Sequence, residues 1–154
     1  MSTTRLSQRL RASRVSIYRA LTDPAAVAAW MFPYGMSIQV HCFEPWVGGT
    51  FRSSLTYGGE FGVGKSSDHT DTYHGRFVDL VLDERVVEVL AFETFVPALQ
   101  GEMMITFTLA DAEGGTELLA THENVPPGIS PAENETGWSM SLARLQALVE
   151  QTRA

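Results

Sequence analysis

The 154-residue sequence holds one cysteine, Cys42, so no internal disulfide can form. That fits a reducing, cytoplasmic setting. Positive charge is also scarce: 11 Lys and Arg stand against 18 Asp and Glu, a formal net charge of −7. Nucleic acids and anionic membrane surfaces are held by positive fields, so neither is an expected partner. The basic residues that do cluster, Arg5, Arg9, Arg11 and Arg14, suit a solvated strand face better than a phosphate track. No apolar run approaches a membrane span, and the first residues lack the apolar centre of a signal peptide. Internal repeats, linkers and low-complexity stretches are missing too. One domain over 1–154 is the expectation, burying about two-thirds of its surface by area scaling.

What is present is alternation. Leu6, Gln8 and Leu10 share one face of an N-terminal stretch whose other face carries Arg5, Ser7 and Arg9. Ser13 is placed to cap a short helix containing Ile17 and Leu21. Asp23-Pro24 starts a second, with Val27, Trp30 and Met31 inward. Strand-like runs follow: Met36 to Cys42, Phe51 to Tyr57, Thr70 to Val81, Val86 to Glu93, Met103 to Ala110 and Thr116 to Glu123. Gly48-Gly49, Asp83-Glu84 and Glu113-Gly114-Gly115 mark turns between them. Cys42 continues the apolar set Met36, Ile38 and Val40, so it is expected on their face.

The last element is the clearest. Ser130-Pro131-Ala132-Glu133 is a capping box, and Trp138, Leu142, Leu145 and Val149 recur at helical spacing. The order is strand, two short helices, six strands, long helix. Short connections make the sheet antiparallel. The α+β expectation is a curved sheet of about seven strands wrapped around the C-terminal helix, with a gap beneath it.

Several strings, in order, resemble the START-like superfamily, in its branch named after the activator of heat-shock protein 90 ATPase. They are Tyr18-Arg19-Ala20-Leu21-Thr22-Asp23-Pro24 with Val15 before and Trp30 after, Gly48-Gly49-Thr50-Phe51-Arg52, and Gly75-Arg76-Phe77. Glu84-Arg85-Val86-Val87, Gly114-Gly115-Thr116, His122-Glu123 and Gly137-Trp138 with Leu142 and Leu145 complete them. The resemblance implies a helix-grip fold with a cavity between sheet and long helix. It implies no single activity, because the fold hosts carriers, receptors and cyclases. The co-chaperones that name the branch also carry an N-terminal domain, to which nothing in this sequence corresponds.

Gly59 to Ser66 fits the phosphate-loop pattern G-x-x-x-x-G-K-[ST] literally. The residues after Lys65 are poor helix formers and no parallel βαβ unit surrounds them, so the reading here is a loop at the cavity mouth. His69, Asp71 and His74 suggest a metal. On a strand, however, His69 and Asp71 share a face and His74 points away, so three ligands do not converge. No metal or other cofactor is expected.

Glu88 lies in an apolar run, sharing a face with Val86, Leu90 and Phe92; either face can be the inner one. His122 shares the face of Leu118 and Ala120. In one cavity the two would suit acid and base roles; otherwise Glu88 is exposed and His122 is a hydrogen-bonded core residue. The candidate ligand-binding set is Trp30, Trp46, Tyr57, Tyr73, His74, Glu88, His122 and Trp138, with His122 and Trp138 foremost. The expected partner is a small, mainly apolar molecule. A cyclase-like or hydrolase-like enzyme is the second reading. A protein-interaction module, such as a chaperone cofactor or regulator, is the third, with a protein partner or a second copy of the chain left open; exposure of Phe61 and Val63 would favour it.

Overall fold

The computed structural model describes residues 1–32, 35–57 and 70–151. Strand β1 (Ser2–Leu10) leads into helix α1 (Arg14–Thr22) and helix α2 (Pro24–Trp30). Six strands follow: β2 (Met36–Phe43), β3 (Thr50–Tyr57), β4 (Thr70–Val81), β5 (Arg85–Phe92), β6 (Met103–Ala112) and β7 (Gly115–Val125). Helix α3 (Pro131–Gln151) closes the chain. The sheet is antiparallel throughout, in the order β1-β7-β6-β5-β4-β3-β2. The curved sheet and long helix are the helix-grip arrangement the sequence led one to expect.

Local chemistry sets the helix starts. The Ser13 side chain accepts from the Ser16 N–H and the Asp23 carboxylate from that of Ala26, each satisfying a donor the helix leaves free. Asp23 also receives α1: its own N–H bonds to Arg19 O, so one residue ends the first helix and opens the second.

The concave face carries the core. Its β5 contribution is Val86, Glu88 and Leu90, which settles the face that alternation left open. Beside them stand Phe77 on β4, Ile105 and Phe107 on β6, and Leu118 on β7. At Gly75 an added Cβ would lie 2.7 Å from the Phe51 ring and would clash with Val89 O, so only glycine lets Phe51 lie across the strand. The second half of α3 grips this face through Leu142, Leu145 and Val149. Polar ties hold the same end: Gln8 donates to Gln146 Oε1 at 2.6 Å, and Arg11 N donates to Glu150 at 3.0 Å.

One expectation fails. Cys42 is exposed. A β-bulge between Val40 and Cys42 inserts an extra residue, so Phe43 rather than Cys42 continues the inner row opposite Phe51. The alternation breaks there, and nothing in the local composition announces it. The 3₁₀ turn at Pro97–Leu99 was also not foreseen. Among the described residues no helix is long and apolar enough to cross a membrane.

Candidate ligand-binding site

The second half of α3 grips the sheet, whereas the first half reaches it through Asn134 and Trp138 and leaves space open beside them. Between this first half and the sheet lies a cavity of about 530 Å³. Its floor is the inner face of the sheet, from Leu55 on β3 through Tyr73, Leu90 and Ile105 to His122 on β7. Its roof is α3, including Asn134, Gly137, Trp138 and Ser141. Met31 at the end of α2 and Ile129 before α3 complete the wall.

Gly137 explains part of the gap. A glycine inside a helix costs roughly 1 kcal/mol against alanine. Here no neighbour forces it: nothing lies within 4 Å of where its Cβ would be, and its φ is not positive. Its missing side chain leaves space in the roof.

His122 is the most constrained group of the wall. Its Nδ1 accepts from the Trp138 Nε1–H at 3.0 Å and faces the Asn134 amide nitrogen at 3.1 Å. Asn134 also donates to Thr4 Oγ1 at 2.9 Å, which ties α3 to β1 behind the imidazole. The Nε2 atom lies 3.1 Å from the Met103 sulfur. Burial pulls the His122 pKa down to about 4, so the ring is neutral at pH 7. Trp138 is half-buried, with its ring edge-on to both His122 and Phe107 at 5.8 Å.

Of the seven candidate residues whose side chains are described, three meet at this cavity: Tyr73, His122 and Trp138. Tyr73 is buried, its hydroxyl is bonded to Ser53, and burial followed by nearby Glu88 pushes its pKa up. Tyr57 lies at the end of β3. Trp30 is core, donating to Ala20 O at 2.8 Å and packing edge-on to Phe107, outside the described lining. Trp46 projects from the turn after β2 and is 57% exposed. His74 sits on the outer face, 3.1 Å from Glu93, which also accepts from Arg52 at 2.7 and 2.9 Å.

Glu88 is buried and faces inward, yet is not part of the described cavity wall. The ladder places Phe77, Glu88, Ile105, His122 and Thr4 in one lateral row. Two strand spacings put Glu88 roughly 10 Å from His122, with Ile105 between. Burial alone pushes its pKa up to about 8, leaving it a neutral acid at pH 7. The two groups are therefore not brought together as a catalytic pair.

Sequence reasoning missed Asn134, Ser141, Met31 and Met36. Asn134 and Ser141 read as ordinary helix-surface residues, because the cavity that makes them interior is a tertiary feature. Asp71 does line the wall and His74 points away, as alternation required. His69 and the loop from Gly59 to Ser66 lie outside the described residues. Among those described, no group of three or more His, Cys, Asp or Glu is placed to hold a metal.

Several solved structures share the fold over nearly the whole chain. Protein CV1439 from Chromobacterium violaceum is 32% identical, with a TM-score of 0.85, covering 97% of this chain and 99% of that one. The AHSA1 protein SPO3351 from Silicibacter pomeroyi is 17% identical, with a TM-score of 0.80, covering 98% and 99%. DynU16, a putative protein in the dynemicin biosynthetic locus, is 19% identical, with a TM-score of 0.67; the match covers 97% of this chain and 48% of DynU16. No curated protein matches the sequence. The sequence pattern of the family described as Activator of Hsp90 ATPase homolog 1-like protein matches residues 11–150, and with that span covered this chain belongs to that family.

Proposed function

We propose that this chain is a binding module that holds a small, mainly apolar molecule between the sheet and the first half of α3. The cavity carries the reading. Its volume of about 530 Å³ lies within the usual range of small-molecule sites. Its wall is mostly apolar, with polar groups such as Tyr73, His122 and Asn134 set among the apolar ones, and such sites use that mixture for affinity and orientation. Four of the six methionines, Met31, Met36, Met103 and Met140, line it. Methionine adapts to irregular shapes, so a family of related ligands is better suited than one rigid molecule.

The enzyme reading is weaker, because Ile105 stands between Glu88 and His122 and keeps them from acting on one group. The interaction reading rests on exposed apolar residues elsewhere, Trp46, Val47 and Phe95.

Native mass spectrometry of freshly purified protein, with Nile red titrated into the same sample, tests the proposal. A retained mass or a saturable Nile red signal, weakened by Trp138→Ala, is expected. A protein that holds neither leaves the interaction reading ahead.

A further inference from the structure

The partners of His122 decide its tautomer. An indole N–H only donates, so the Nδ1 atom that receives Trp138 is the unprotonated nitrogen. A neutral ring has one proton, which must then be on Nε2. The partner of that N–H is the Met103 sulfur at 3.1 Å. A thioether is a weak acceptor on a flexible side chain. His122 and Met103 both line the cavity. The wall thus presents one oriented N–H whose present partner is poor and easily displaced.

Charging the ring is blocked at the other nitrogen. A second proton would sit on Nδ1, against the Trp138 N–H and the Asn134 amide nitrogen. His122 therefore does not anchor an anion by ion pairing. Among the described residues of the wall none is Lys or Arg, whereas Asp71 and Glu133 are present.

We infer that the cavity selects neutral apolar molecules carrying a hydrogen-bond acceptor, such as a ketone, ester or lactone oxygen, which takes the Nε2–H of His122 as Met103 moves aside. This rests on the ligand-binding reading above and adds the ligand's polar group to it. Trp138 and Asn134 act as positioning residues, because they fix which nitrogen carries the proton.

The test uses three naphthalenes of similar size: 2-acetylnaphthalene, 2-ethylnaphthalene and 2-(aminomethyl)naphthalene, each competed against Nile red. The readout is the ratio of acetyl to ethyl affinity in wild type and in His122→Phe. One hydrogen bond is worth roughly a five- to ten-fold change in that ratio. The ratio should fall by this factor in His122→Phe, and because both ligands meet the same altered wall, the ratio reads the hydrogen bond whatever happens to ethylnaphthalene affinity itself. The amine should bind no better than the ethyl compound. In wild-type protein labelled with ¹⁵N histidine, the His122 proton should be on Nε2, and acetylnaphthalene should shift Nε2 more than Nδ1. This arm decides the matter alone if His122→Phe does not fold. An unchanged ratio, a preference for the amine, or a proton on Nδ1 overturns the inference and leaves the cavity reading standing. If neither Nile red nor any naphthalene binds, the ligand-binding reading falls, and this inference with it.

Discussion

Gly137 separates the cavity from the fold. In a packed helix-sheet interface, a side chain added at a glycine overfills the core and costs about 1–3 kcal/mol. Here the space beside Gly137 is open and its φ is not positive. Gly137→Ala should therefore stabilise the protein by about 0.4–1 kcal/mol, through lost freedom of the unfolded chain. For a chain of this size that is roughly 1–4 °C in Tm. Gly137→Leu carries the test further. Leucine is nearly as good a helix former as alanine, and each added carbon that packs against the walls contributes up to about 0.8 kcal/mol. Its stability should equal or exceed wild type, while Nile red binding drops because the roof is filled. Calorimetry and a fluorescence titration on the same samples read both quantities. A Gly137→Ala variant more than 1 kcal/mol less stable than wild type would refute the open-roof geometry. A Gly137→Leu variant that binds Nile red as wild type does would place the site elsewhere.

Stability should depend on pH through two buried groups of opposite sign. Glu88, raised to about 8, makes the native state bind more protons than the unfolded chain between its ordinary value and 8, so its contribution is lost as pH rises through that window. His122, lowered to about 4, does the reverse, and its neutral native form loses stability as pH falls from 6.5 to 4. The slopes oppose each other below pH 6.5 and leave a net decline from 6.5 to 8, measurable by urea unfolding; Glu88→Gln should remove that decline, and a wild-type curve rising from 6.5 to 8 would contradict it. Ser130→Ala should cost about 0.5–1 kcal/mol, the low end for a cap, because the Glu133 N–H reaches Ser130 Oγ at 3.4 Å; a neutral result by thermal melting would put the functional start of α3 elsewhere. Cys42, exposed on an edge strand, should react with one equivalent of a thiol reagent in the folded protein; reaction only in denaturant would mean the bulge does not expose it.

Much of the fold was legible because it is written locally. Period-two alternation on β1, β3 and β7, the Ser13 and Asp23 caps, and the Trp138, Leu142, Leu145, Val149 stripe each depend on neighbours a few residues away. Where local periodicity broke, the sequence misled: one inserted residue in β2 turned Cys42 outward, since a bulge is decided by pairing with β3 and not by β2 alone. The site was legible only in part. Alternation set the shared face of Glu88, Val86 and Leu90 but not whether it was inner. It named His122 without Asn134 and Trp138 as its partners, because those approach from a helix 12 and 16 residues on. It could not show that Ile105 separates Glu88 from His122, since lateral order belongs to the sheet. The sequence by itself thus determined the elements, their order and their apolar faces, which are short-range properties of the chain. Tertiary structure decided where the cavity lies and what lines it, because a cavity is the distance between two elements: one half of α3 packs against the sheet, and the other meets it only beside Asn134 and Trp138.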